Sequence, residues 1–164
     1  MEIVAARFDH PDAVKLHDRV QAEYAERYRS EGSEGDAAAV RPEEFVPPRG
    51  LYLLAYDAGG TPVAGGGWRS RHADEEGFAD GDAELKRMYV VPEARGLGLA
   101  RRILAELEAD ARAAGRTRMV LETGTMQPEA VALYTSSGYE PAPVKFGHYR
   151  FHEMSRCFVK RLGD

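Results

Sequence analysis

Between Ala83 and Ala114 the chain runs from a β-type segment that ends at a proline, through a glycine-bearing turn, into a long amphipathic helix. The stretch opens Ala83-Glu84-Leu85-Lys86-Arg87-Met88-Tyr89-Val90-Val91-Pro92-Glu93-Ala94-Arg95-Gly96-Leu97-Gly98-Leu99-Ala100. The first turn of any helix leaves backbone N–H groups without acceptors, and a strand delivered into such a turn makes a seat for a phosphate-sized anion. Glycine lets a bulky anion approach the backbone, because no Cβ stands in the way. Arg95, Arg101 and Arg102 cluster at the same place, and Arg95 or Arg101 offers counter-charge. A dinucleotide fingerprint would need a glycine where Arg101 stands, and no G-K-S/T precedes the helix, so both common nucleotide motifs are excluded. A pyrophosphate suits the seat.

The remaining segments supply a frame for this unit. Glu2 to Phe8 reads as a first strand, and His10-Pro11-Asp12 starts a helix whose apolar stripe is Val14, Leu16, Val20, Tyr24 and Tyr28. Ser30 to Asp36 is a loop by composition, and Pro42 to Phe45 a short helical turn. Leu51–Tyr56 and Pro62–Arg69 form a hairpin across Asp57-Ala58-Gly59-Gly60. Gly65-Gly66-Gly67 within its second strand marks a bulge or close packing, or else a ligand lying on bare backbone. After the turn, Ala100, Ile103, Leu104, Leu107, Ala111 and Ala114 hold helical spacing, leaving Arg101, Arg102, Glu106, Glu108 and Arg112 for solvent or ligand, and Gly115 ends the helix. Arg118–Glu122 is a strand, Gln127 to about Ser137 a helix, and Phe151–Leu162 a last strand. Strands alternating with helices in this order predict one mixed α/β domain around a central sheet.

A chain of 164 residues is long enough to bury its own core. With 43% hydrophobic and 30% charged residues it has the composition of a soluble globular protein. The net charge of −5 argues against a general nucleic-acid binder, and no apolar run reaches membrane-span length. One cysteine, Cys157, excludes an internal disulfide framework and suits a reducing compartment, so a cytoplasmic location is expected. His10, His17, His72, His148 and His152 show no ligand spacing, so no metal is expected.

The block Arg95-Gly96-Leu97-Gly98-Leu99-Ala100 resembles the Q/R-x-x-G-x-G/A signature of the GNAT family of N-acetyltransferases. Leu85 to Glu93 looks like that family's fourth strand, and Gln127-Pro128-Glu129-Ala130-Val131-Ala132-Leu133-Tyr134, followed by Ser137-Gly138-Tyr139, is similar to its N-x-x-A-x-x-L-Y helix. The resemblance implies the GNAT fold: a mixed, mostly antiparallel sheet of six or seven strands flanked by about four helices, with a parallel splay between the fourth and fifth strands. It implies acetyl-CoA as co-substrate and a primary amine as acceptor, with direct transfer in a ternary complex. Backbone groups of Met88, Tyr89 and Val90 would meet the pantetheine arm. The turn residues Arg95, Gly96, Leu97, Gly98, Ala100 and Arg101 would seat the pyrophosphate. Gln127 stands where the family often has asparagine at the cofactor, and Tyr134 matches a tyrosine that often protonates the departing thiolate.

An amine must lose its proton before attacking a thioester, so a base is needed. Glu84 at the head of the fourth strand is the first candidate and Glu122 at the end of the next is its rival, the other carboxylate then binding the substrate ammonium. Trp68, Phe146, His148 and Tyr149 are candidate linings of the acceptor pocket, and Cys157 reads as a core residue. A small-molecule amine is the expected partner, with no nucleic acid and no membrane; edge-strand pairing into a homodimer is compatible with such a fold. Acetylation of a protein N-terminus or lysine is the alternative enzyme, and a non-catalytic acyl-CoA sensor the alternative outside catalysis.

Overall fold

The computed structural model describes residues 1–28, 40–74, 76–124, 128–147, 150–151, 153 and 155–163. Its strands are β1 (Glu2–Ala5), β2 (Gly50–Tyr56), β3 (Pro62–Arg71), β4 (Asp82–Val90), β5 (Arg118–Gly124), β6 (Glu140–Pro141) and β7 (Ser155–Arg161). The helices are α1 (Pro11–Tyr28), α2 (Leu99–Ala113) and α3 (Pro128–Ser136), with 3-10 turns at Pro42–Phe45 and Pro92–Ala94. One seven-stranded sheet runs β1-β2-β3-β4-β5-β7-β6, antiparallel everywhere except between β4 and β5. The mixed α/β frame expected from the element order is therefore present, with three α-helices and an added two-residue strand, β6.

Alternation along β3 sorts the two faces of the sheet. A Cβ on Gly66 would run into the Met88 sulfur and Ile103 of α2, whereas Cβ atoms on Gly65 and Gly67 would run into Tyr52 and Phe45. Tyr52 in turn meets His17 of α1. The triple glycine is therefore where a sheet covered on both faces admits side chains that would otherwise overlap it, which is the packing reading rather than a ligand site. Trp68, next on the α2 face, is fully buried and donates from its indole N–H to Asp110 at 2.9 Å.

The inward stripe of α1 is Ala13, Leu16 and Val20, while Val14 is exposed. The expected stripe is thus one residue out of phase at its start, because Ala13 packs closely where a larger side chain was sought. Glu108 is likewise turned inward: it lies one turn beyond Leu104 and takes Lys160 at 2.9 Å and the Tyr139 hydroxyl at 2.8 Å. Helix α2 ends in a Schellman arrangement, with Gly115 at φ 86° and Arg116 N–H donating to the Ala111 carbonyl. The last strand begins at Ser155 rather than Phe151; Phe151 is 88% exposed in a turn.

Candidate active site

Strands β4 and β5 pair only over Asp82–Arg118, Ala83–Met119 and Glu84–Val120. Beyond that point β4 continues to Val90 and β5 to Gly124 with no further pairing between them. Part of the divergence has a local cause. Gly65 pairs Tyr89 while Gly67 pairs Lys86, so β4 carries one residue more than β3 across this interval. The bulge sits at Arg87, whose φ of 61° is the one positive value at a non-glycine residue among those described. The extra residue shifts the side-chain alternation, so that Tyr89, like Glu84 and Lys86, lies on the α1 face.

The glycine turn stands at the open end of this splay. Gly96 and Gly98 have φ of 85° and 79°, values that L-residues rarely adopt, and a Cβ on either would meet no atom within 4 Å. Gly98 is the N-cap of α2, no side chain caps it, and no acidic residue occupies the first turn. The first i to i−4 bond of the helix is Arg102 N–H to the Gly98 carbonyl, so the preceding N–H groups have no acceptor within the helix. These features fit an anionic group at this turn.

The two arginines expected to neutralise it are differently placed. Arg95 donates to Glu23 of α1 at 2.9 Å and to the Val90 carbonyl at 3.0 Å, so its charge is matched by a carboxylate. Arg101 donates to the hydroxyls of Ser136 at 2.6 Å and Ser137 at 3.3 Å, neutral partners that leave its charge uncompensated while joining α2 to α3. Arg19 and Glu93, 2.9 Å apart, make a second tie between α1 and the turn.

Glu84 is 3% exposed and accepts from Arg69 Nε at 2.8 Å; Arg71 lies 3.7 Å away. Arg69 also reaches Glu44 at 2.9 Å. Burial works against the Arg69 charge, but Glu84 and Glu44 more than offset it and raise its pKa above the ordinary value. Glu122 is two residues beyond Val120, the partner of Glu84, and so lies on the same face on the open side of the splay. Its carboxylate is packed beneath Gly147 so closely that a Cβ there would overlap it, and Ser155 Oγ is 3.5 Å from it. The fold brings the two carboxylates onto one face, with Glu84 in an ion-pair network and Glu122 under a loop.

Tyr134 is 5% exposed on α3, its ring 5.6 Å from that of Tyr139. Phe146 is buried with Phe78, Val120 and Cys157 in a small second core on the Glu122 face. Trp68 lies on the opposite face under α2 and is not gathered with these residues. Gln127, His148 and Tyr149 fall outside the described residues. Further groups around the site gave no sequence signal: the Arg87 bulge, the Arg69–Glu44 pair and the contact of Gly147 with Glu122. Only the alternation of Arg69 and Arg71 against Asp82 and Glu84 on paired strands was in principle readable. Among the described residues no group of three or more His, Cys, Asp or Glu could hold a metal, and no helix is long and apolar enough to cross a membrane.

The family model described as the acetyltransferase (GNAT) family matches residues 17–139. The chain belongs to the GNAT acetyltransferase family. A GNAT relative, the IAA acetyltransferase of Azospirillum brasilense, is 47% identical over 90 residues, covering 54% of this chain and 56% of that one. An uncharacterized N-acetyltransferase of Escherichia coli, YjgM, is 34% identical over 94 residues, covering 57% and 53%. The chain thus spans about half the length of the curated relatives it matches. A crystal structure of a protein from Klebsiella pneumoniae superposes with a TM-score of 0.75 at 27% identity, covering 99% of this chain and 97% of that one. The splay and the glycine turn are therefore parts of a GNAT fold, a family that uses acetyl-CoA as co-substrate.

Proposed function

We propose that this chain is an acetyl-CoA-dependent N-acetyltransferase that moves an acetyl group directly to the primary amine of a small molecule within a ternary complex. One observation carries the reading: the strand splay opens between an uncapped glycine turn at one end and Glu122 on the acceptor face. The turn residues Arg95, Gly96, Leu97, Gly98, Ala100 and Arg101 would hold the pyrophosphate, with Arg101 as the uncompensated charge. The edge of β4 at Met88, Tyr89 and Val90, where no pairing to β5 continues, would receive the pantetheine arm, and Gln127 is retained as a further contact. The thioester supplies an activated acetyl group; the chain supplies orientation and proton handling.

The two carboxylates divide this work. Glu122, on the open side of the splay, is the group proposed to meet the acceptor ammonium and draw off its proton, directly or through water. Glu84, engaged by Arg69, is proposed to set the local charge and to act as base only with that pair loosened. Tyr134 is the proton donor proposed for the departing thiolate. A small acceptor is favoured because the loops on either side of Glu122 meet: Gly147 N–H donates to the Glu76 carbonyl at 2.9 Å, and the Phe78 and Phe146 rings lie 5.3 Å apart. A peptide acceptor asks instead for an open groove.

The test is release of free coenzyme A thiol from acetyl-CoA across a panel of small amines and lysine-bearing peptides. Turnover on small amines and little on peptides is expected. Tyr134→Phe should cut kcat by about 10²-fold with acetyl-CoA affinity intact, and Glu122→Gln should remove the acidic limb of the pH–rate profile. Absence of thiol release with every amine in the panel overturns the amine reading, and absence of acetyl-CoA binding overturns the co-substrate assignment as well.

A further inference from the structure

We propose that Glu76 latches a cover over the Glu122 face of the sheet and thereby sets the size of acceptor the site admits; the acceptor-size part rests on the amine-acetyltransferase reading above. Glu76 lies in the β3–β4 connection, in none of the family's signature blocks, yet two other segments, β3 and the β6–β7 connection, converge on it. Its backbone carbonyl accepts from Gly147 N–H at 2.9 Å. Its carboxylate takes Arg71 of β3 at 3.1 Å and lies 3.7 Å from Arg150, which itself donates to the Gly147 carbonyl at 2.9 Å. Arg71 also stands 4.2 Å from the centre of the Phe78 ring, beside Phe146. Through its carbonyl and its carboxylate together, Glu76 therefore joins the β3–β4 connection to the sheet and to the β6–β7 connection.

What the latch holds down is defined by Gly147. With φ at 90° and no room for a Cβ over the Glu122 carboxylate, this glycine lays the backbone of the cover directly against a side chain of the sheet. A cover shifted outward by one side chain's thickness would deepen the space above Glu122 and admit a bulkier amine. The same cover encloses Cys157, whose thiol exchanges hydrogen bonds with the Phe146 backbone at 3.4 and 3.5 Å. As the single cysteine in the chain, Cys157 reports opening of the cover without reference to any acetyl transfer.

The experiment compares the rate at which N-ethylmaleimide labels Cys157 in the full chain and in Glu76→Gln and Glu76→Asp, alongside Tm and acceptor kinetics. Glu76→Gln should speed labelling about fivefold, the factor that a latch worth roughly 1 kcal/mol gives, with Glu76→Asp between and Tm within about 2 °C. In the same variant the KM for the best small amine should rise about fivefold, the KM for acetyl-CoA should hold, and a lysyl peptide should gain turnover. Unchanged labelling overturns the latch, and so does labelling that rises only in step with a falling Tm. A faster label with unchanged preference between small and large amines overturns the acceptor-size assignment. Should Glu76→Gln not fold, Arg150→Gln breaks the same latch from its outer side and is scored the same way. If the wild-type chain acetylates no amine while labelling responds as expected, the amine reading falls and the cover stands.

Discussion

His17 shows how much one buried side chain can couple this fold to pH. Its Nε2 is 3.3 Å from the Tyr52 hydroxyl and its ring lies 4.4 Å from that of Phe8. Burial, helped by the nearby Arg87 charge, lowers its pKa from the ordinary 6.5 to about 4. A histidine held neutral in the fold binds its proton only after unfolding over this window, so the unfolded state takes up more protons and stability falls as pH drops from about 6.5 toward 4. The loss attributable to His17 is on the order of 2 kcal/mol, after allowing for its partial exposure. Urea unfolding at pH 7 and pH 4.5 should therefore show a smaller drop for His17→Gln than for the wild-type chain; an equal drop would assign the acid sensitivity elsewhere. Arg69 illustrates the opposite case: burial works against its charge, yet the neighbouring Glu84 and Glu44 carboxylates raise its pKa above the ordinary value. The surroundings of His17 were not legible beforehand, because a histidine in a one-dimensional pattern carries no mark of the partners that a distant strand delivers, whereas the Arg69–Glu84 pair was readable only through the alternation of two strands that pair.

At the scale of elements the informative unit is the β4–turn–α2 segment, and it was also the most legible. Strand end, glycine turn and helix all lie within a few residues of where periodicity and punctuation put them, since each depends on local backbone preferences. Gly98→Ala separates the roles of the turn. At φ 79° an alanine costs about 1–2 kcal/mol of backbone strain, yet its Cβ meets no protein atom. The fold should survive with a modest fall in Tm, while the affinity for acetyl-CoA, measured by calorimetry, falls about tenfold or more. Unaltered affinity would move the anion seat off this turn. The bulge at Arg87 lay beyond sequence reading: nothing in Leu85 to Val91 marks one residue as extra, because a bulge is defined by its partner strand. The same holds for the start of β7, expected at Phe151 and found at Ser155, because a strand's end is set by where its partner pairs with it.

For the whole molecule, the sheet's two faces divide the labour. Helices α2 and α3, tied by Arg101, close one face, while the other is shared by α1, packed against β3 and β4, and by Phe78 and Phe146 over Val120 and Cys157 of β5 and β7. Element order was enough to predict this class of fold, whereas the pairing order beyond β5, with β7 inserted between β5 and β6, depends on long-range contacts that no local pattern encodes. Acetyl-CoA at a concentration of about a hundred times its Kd should stabilise the protein by roughly 2.7 kcal/mol, read as a rise in Tm; no rise at that excess of ligand would remove the co-substrate assignment.

The short ladder between β4 and β5 also leaves the molecule with an unusual liability. Past Glu84 and Val120 the sheet contains two facing edges in its own interior, rows of backbone groups of the kind that elsewhere recruit stray strands and start aggregation. Here the three-residue ladder pinches the gap shut at one end, and the glycine turn guards the other. A whole polypeptide strand needs about 4.8 Å on each side and a course of side chains above and below, which a wedge sealed at its apex does not provide. A slender chain bearing amides but no side chains meets both requirements. On the function proposed above, the fold converts a defect in its hydrogen bonding into a filter, open to one shape of guest and closed to its own kind.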